Sequence, residues 1–409
     1  MVAECSRASR VPSRGSAAVP LLTPAVRSGG FGSYRREGQE WLAPICEVAK
    51  ASRFKVKTRS KAHRKGPAME HIAIDLGSTE SQICIRSADG TIVEEVRCGT
   101  LRLGSYLKKR PPSRVILETS TESFRIADEA RELGHDVRIV PASLAPTLGV
   151  GARGVKTDRR DAQTLSEVST RIDLPSVHIP SELSRIWKAT CAARESLVSS
   201  RTQLINTVRG WLRSNLLKIR SGVPETFPKR VRAAALASPQ GLPQFTESVL
   251  LMIDALNDQI AKADTQLKEL AKEHPVCRRL TSIPGVGPVT SIRFVAALDR
   301  VERFPNAHSV QSYLGLVPGE DSSGTRKRRT GITKAGPSRV RWTLTQAAWS
   351  FRRVAKLDPL AVWADEVEKR RGKMIATTAL ARRLAGVMYA IWRDGTRYQP
   401  SLLRSRSAS

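Results

Sequence analysis

Four acids stand where the ends of strands and the start of a helix would gather them. Asp75 ends a first apolar strand, Glu118 ends the compact run Val115-Ile116-Leu117, and Asp158 and Asp161 lie three residues apart in Lys156-Thr157-Asp158-Arg159-Arg160-Asp161-Ala162, hence on one helix face. Carboxylates brought together in this way repel unless a divalent ion lies between them, and hard oxygen ligands select Mg²⁺, with Mn²⁺ as the substitute. Two such ions suit phosphodiester cleavage, activating one oxygen and stabilising the other. Taken singly, each acid has a plainer reading as a loop cap, or, for Asp158, as a local partner of Lys156 or Arg159.

Two further segments carry possible chemistry. Pro284-Gly285-Val286-Gly287 reads as a turn between helices of helix-hairpin-helix type, in which Gly285 and Gly287 would let backbone N–H groups meet a phosphate; a plain interhelical turn is the alternative. Ser322-Ser323-Gly324 is followed by Arg326, Lys327, Arg328, Arg329, Lys334, Arg339 and Arg341. A serine hydroxyl attacks only when its developing charge is stabilised, and these cations could clamp a phosphate while it does so. Gly324 gives Ser323 the freer approach, with Ser322 the competitor. A solvated basic loop that merely touches phosphates is the blander account.

These residues need a scaffold, and the apolar patterning supplies one. His71–Leu76, Gln82–Arg86 and Ile92–Arg97 read as three antiparallel strands joined by short turns. Val115–Leu117, a helix over Phe124–Leu133 stopped by Gly134, and Val137–Val140 then make a β-α-β unit, followed by a helix after Lys156. The expected fold is α/β with a ribonuclease-H-like strand order over residues 69–180. Over 181–274 an antiparallel coiled-coil arm is expected: one helix over 182–217 with Leu183, Thr190, Leu197, Leu204 and Trp211 at seven-residue intervals and Trp187 and Val208 between them, and a second with the stripe Val249, Ile253, Leu256, Ile260, Ala263, Leu267 and Leu270. Residues 275–395 should form a helix-rich module, and 396–409 a polar tail. Residues 1–68, rich in Ser, Arg, Gly and Pro, are expected to be a disordered basic extension, with Met69 the alternative start.

Composition narrows the partner. With 68 Lys+Arg against 38 Asp+Glu in 409 residues, the net charge is +30, which calls for an anionic partner, nucleic acid first of all. The sequence lacks a run of about 18 apolar residues, so no membrane span is expected. The six cysteines form no CxxC pair and no Cys/His spacing suggests zinc. No export signal is read, and a reducing cytoplasm is the expected setting.

Together the motifs resemble those of IS110-type transposases, especially the IS1111-like branch, over roughly Met69 to Arg353. Asp75, Glu118 and Lys156–Ala162 are similar to a RuvC-like DEDD catalytic domain. Ile283–Gly287, Tyr313-Leu314-Gly315-Leu316-Val317-Pro318, Ser322–Gly324, Gly331–Gly336, Arg341 and Ala347-Ala348-Trp349 are similar to the family's C-terminal transposase domain. The resemblance implies that the four acids hold Mg²⁺ and that Ser323 attacks the scissile phosphate. It further implies a recombinase acting on donor and target DNA under a bridge RNA, as a nucleoid-associated homo-oligomer, dimer or tetramer. Pro337 stands where the family usually has Asn, and residues 1–68 have no counterpart. A RuvC-like endonuclease that hydrolyses DNA with the acids alone, or a non-enzymatic nucleic-acid-binding relic, are the rivals.

Overall fold

In the computed structural model of the chain the described residues are 69–148, 157–236, 241–321 and 329–400. The expected disorder of 1–68 and the polar tail beyond residue 400 lie outside them.

Five strands, β1 (His71–Asp75), β2 (Glu80–Arg86), β3 (Ile92–Gly99), β4 (Arg114–Glu118) and β5 (Asp136–Val140), form one sheet in the order β3-β2-β1-β4-β5. β1 pairs antiparallel with β2, and β2 with β3, whereas β1-β4 and β4-β5 are parallel. The parallel step from β4 to β5 crosses through α2 (Ser123–Glu132), which ends at Gly134 in a left-handed conformation with φ +86°. The expected mixed α/β arrangement is therefore present.

The sheet is covered on both sides, which explains why its central strands are continuous apolar runs. Ile72, Ile74, Ile83, Ile85, Val115 and Leu117 pack on one face with Ile126, Ala127 and Ala130 of α2 and with Leu103 and Leu107. Those two leucines belong to α1 (Leu103–Leu107), a short helix the sequence reading passed over because the basic run after it masked two well-spaced apolar residues. On the other face Ala73, Ile116 and Val140 pack against Leu165 of α3 (Asp158–Arg171).

Two long helices follow, α4 (Glu182–Ser214) and α6 (Gln244–Glu273). They run antiparallel: Trp187 meets His274 edge to face at 4.9 Å, Arg194 pairs with Asp264, and Trp211 meets Phe245 at 6.0 Å. The stripe expected on α6 is the face that packs, with Ile253, Ile260 and Leu267 buried. On α4 the expected Trp187 and Val208 are buried, but the seven-residue series is corrected by one residue. Its buried face is Ser184, Trp187, Cys191, Arg201, Ile205, Val208 and Leu212, and Leu183 is half exposed. The segment between them contains a helix, α5 (Phe227–Leu236), whose Phe227 and Val231 fill the far end of the pair.

The remainder is α7 (Pro275–Leu280), α8 (Pro288–Leu298), α9 (Ala307–Tyr313), α10 (Ser338–Val354), α11 (Pro359–Arg371) and α12 (Lys373–Asp394), which share one core with Trp187, Cys191, Leu267 and Ala271 of the long pair. A two-stranded hairpin, β6 (Pro318–Glu320) and β7 (Arg329–Ile332), interrupts this helical module. Its strands are too short to produce a readable alternation in sequence.

Candidate functional site

The parallel register of β1 and β4 pairs Ile74 with Leu117, so one further step sets Asp75 beside Glu118. Side chains alternate along a strand. Ala73 and Ile116 face α3, and therefore Asp75 and Glu118, two residues on, face the same side. The helix itself runs opposite to β1. Its Ser169 Oγ bonds His71 Nδ1 at 2.8 Å, and its Ser166 Oγ meets Sγ of Cys84, the partner of Ala73, at 3.3 Å. From Ser169 back to Asp161 is about 12 Å of helix, and from His71 forward to Asp75 about 13 Å of strand. Asp161 thus lies over the strand ends, and it is only 2% exposed. Asp158 is the first residue of the helix, one turn farther out, and exposed.

Local sequence explains this placement. Thr157 caps the helix by accepting a hydrogen bond from the Arg160 N–H, and both aspartates of the first turn sit at the positive end of the helix dipole. Arg159, considered as a partner for Asp158, turns instead to Glu95 of β3, its Nε donating at 3.1 Å, and these hydrogen bonds hold the Glu95 carboxyl below its usual range. Asp75, Glu118 and Asp161 offer only carboxylate oxygen, which fits a hard divalent cation. Among the described residues no three His, Cys, Asp or Glu side chains close to metal-binding distance, so the acids share an edge and a face without forming a closed cage.

The serine segment falls between β6 and β7. Ser322, Ser323, Arg326, Lys327 and Arg328 lie outside the described residues, and of Arg329 only the backbone, opening β7, is described. The base of the hairpin is well defined. Gly315 has φ +66°, and a Cβ there would lie 2.0 Å from the Ala335 carbonyl oxygen, so no other residue fits. The Thr333 N–H donates to the Val317 carbonyl at 2.9 Å and the Lys334 N–H to that of Gly315 at 3.1 Å. Lys334 is exposed, with φ +54°.

Several expected phosphate contacts have structural partners here. Arg341 Nη1 donates to the carbonyls of Ala335 and Gly336, both at 2.8 Å, and of Leu314 at 3.2 Å, meeting the demand of turn carbonyls that no strand or helix satisfies. Arg339 pairs with Glu195 of α4, which also holds Arg293 of α8 at 2.8 Å. Gly285 is accounted for by packing: at φ +78° its Cβ would lie 2.5 Å from the Phe351 nitrogen of α10. Gly287 is the N-cap of α8, with open space where a Cβ would lie.

Asp299 is the residue sequence reasoning missed. It follows α8 at φ +65° and ψ −53°, in a tight turn closed by the Arg300 N–H to the Leu298 carbonyl at 2.7 Å. Its carboxylate accepts from His178 Nε2 at 2.6 Å, from the Ser181 N–H at 3.2 Å, and from the hydroxyls of Ser181 and Ser184. Burial works against its charge, but these hydrogen bonds prevail and hold the carboxyl well below the usual range. It thereby ties the segment leaving the sheet, and the start of α4, to the helical module. Its partners are over a hundred residues away in sequence, and no spacing signals them.

Comparison with known proteins finds two family models matching the chain in succession. A DEDD-type transposase model from IS110 elements matches residues 72–215, and the model described as the Transposase IS116/IS110/IS902 family matches 277–360. The DEDD match carries a ribonuclease-H-like α/β fold and points to divalent-metal dependence. A probable family 20 transposase of Pseudomonas aeruginosa is 26% identical over 341 residues, 81% of this chain and 99% of that protein. The transposase for insertion sequence element IS1111A of Coxiella burnetii is 31% identical over 242 residues, 58% of this chain and 66% of the relative. The transposase for insertion sequence element IS1328 of Yersinia enterocolitica is 24% identical, covering 81% and 98%. With both family models matched in order on one chain, and relatives aligned nearly end to end, the chain belongs to the IS110 family of transposases.

Proposed function

We propose that this transposase cuts and rejoins donor and target DNA with Asp75, Glu118, Asp158 and Asp161 as ligands of Mg²⁺ and Ser323 as nucleophile, guided by a bridge RNA and working as a homo-oligomer. The observation that supports the reading is the shared placement of three carboxylates, with Asp75 and Glu118 at neighbouring ends of β1 and β4 and Asp161 on the helix packed over that face, inside the span matched by the DEDD transposase model. Bound there, Mg²⁺ would neutralise phosphate charge and polarise the scissile bond.

The chain's own residues supply the rest. Ser323 Oγ forms an ester to phosphorus as the bond from phosphorus to the departing deoxyribose oxygen breaks, and that oxygen takes up the proton as a free hydroxyl. The ester keeps the energy of the broken bond, so a hydroxyl from the other DNA can reverse the step and join the strands. Gly315 and Arg341 stiffen the hairpin that carries the serine, while Lys334 and Gly287 remain as phosphate contacts. Arg326, Lys327, Arg328 and Arg329 complete the clamp in this reading, and Arg339 contributes through its place beside Glu195.

An antiparallel coiled-coil arm would bring a second copy into reach, and Leu251 and Met252, exposed on α6, are apolar enough to meet it. The net charge of +30 leaves room for an RNA besides DNA. Among the described residues no helix is long and apolar enough to cross a membrane.

The deciding experiment traps reactions on a suicide DNA substrate with the wild type, Ser322→Ala and Ser323→Ala. A protein–DNA adduct should form in the wild type and in Ser322→Ala and be lost in Ser323→Ala. The reverse pattern reassigns the nucleophile, and no adduct in any of them favours the plain nuclease.

A further inference from the structure

One face of α10 is left out of the core. Val340, Leu344, Ala347, Ala348 and Phe351 are buried, whereas Arg339, Trp342, Gln346, Trp349 and Arg353 follow one another at alternating steps of three and four on the other side. Trp342 is 58% exposed, an unusual state for so large an apolar ring. Two turns on, Lys373 at the start of α12 sets its ammonium 4.7 Å from the centre of the Trp349 ring. Met374 and Ile375 beside it are also exposed.

The strip ends at a cavity of about 710 Å³ lined by Pro284, Arg353, Lys356, Leu357, Asp358 and Pro400. Leu357 is 90% exposed at this site. The carboxylate in the lining is engaged by the protein: Asp358 accepts from the Leu360 N–H at 2.9 Å and from the Tyr398 hydroxyl at 2.8 Å. The charge offered to an occupant is therefore that of Arg353 and Lys356.

We propose that this face of α10 is a stacking platform for an unpaired DNA strand, with one base on Trp342, a phosphate at Lys373 beside Trp349, and a further nucleotide entering the cavity beside Arg353 and Lys356. Three arguments select this occupant. Ring faces interleaved with cations suit nucleotides, whose bases stack while their phosphates pair, and a purely apolar partner would leave the cations buried without partners. Duplex bases are already stacked, so only an unpaired strand can use the rings. The face begins at the helix directly following β7, hence next in the chain to the hairpin of Ser323, where DNA strands must separate to be exchanged. The inference rests on the reading as a DNA transposase, but it concerns binding, not cleavage.

The test therefore reads binding. The full-length protein is titrated with fluorescent oligodeoxythymidine, with a DNA duplex and with oligouridine, and an oligodeoxythymidine carrying 5-iododeoxyuridine is photocross-linked and its peptide mapped. Trp342→Ala should weaken oligodeoxythymidine binding on the order of tenfold, Trp342→Phe should retain most of the affinity, and duplex binding should hardly change. The cross-link should fall on the peptide bearing Trp342. Arg353→Glu, at the far end of the strip, should give the same selective loss and serves as second variant if one protein melts early. Equal loss for single strand and duplex, or no loss in either variant, overturns the proposal. So does a loss confined to oligouridine, which would make RNA the occupant, or a loss of self-association with oligodeoxythymidine affinity intact, which would make it a second copy. A wild type that binds as expected but leaves no covalent adduct would sink the serine mechanism and spare the platform.

Discussion

At the carboxyl ends of the central strands the candidate acids are held by regular structure: the β1-β4 ladder fixes Asp75 beside Glu118, and a capped helix lays Asp161 over them. At the base of the β6-β7 hairpin the work is done by exceptions, a glycine at φ +66° against a carbonyl and one guanidinium bonded to three carbonyls. The difference teaches where substitution separates chemistry from fold. Ladder hydrogen bonds are made by backbone, so an acid at a strand end can change without disturbing them. A turn that depends on a missing Cβ or on one side chain fails with that residue.

The largest expected effect tests the first half of that contrast. Asp161→Asn should lower strand cleavage by about two to three orders of magnitude while leaving the melting temperature near that of the wild type; a cleavage assay with a parallel melt checks both. Full-rate cleavage by this variant would remove these strand ends from the chemistry.

The second half is tested by Gly315→Ala. It sets a methyl 2.0 Å from the Ala335 oxygen in a left-handed conformation, so it should destabilise the protein by about 2 to 4 kcal/mol. Denaturant unfolding measures this, and a loss of activity without a loss of stability would mean that the hairpin base is softer than its geometry indicates.

The smallest effect concerns the joint between the two regions. Burial pushes Lys188 of α4 down to about 7, against the attraction of Asp299, and burial likewise lowers His178, aided by Arg303. A base with a lowered folded pKa binds its proton more readily when unfolded, so stability must fall as pH falls. The Lys188 contribution declines between about 10 and 7, and that of His178 from about 6.5 downward. Melting temperatures should drop by a few degrees from alkaline to mildly acidic pH, and Lys188→Met should flatten the part above neutrality. An unchanged profile would show that this joint opens before the rest of the chain unfolds.

The sequence by itself determined what depends on neighbours in the chain. The strands of the five-stranded sheet, the crossover helix ending at Gly134, the α6 stripe and the strand and helix ends at which the acids stand were legible, because alternation, capping and helical period are local. Only the tertiary structure decided which residues of α4 face inward. Seven-residue spacing pointed to Leu183, but α4 packs on α6 and α8 together, and Arg201 is buried there because Glu225 and Asn257 receive it. The same holds for Gly285, required by the backbone of α10, and for Asp299, whose ligands come from Ser181, Ser184 and His178. Short-range patterns record a residue's preference for inside or outside, whereas the identity of its partner is fixed only when distant segments meet, and no local spacing encodes that meeting.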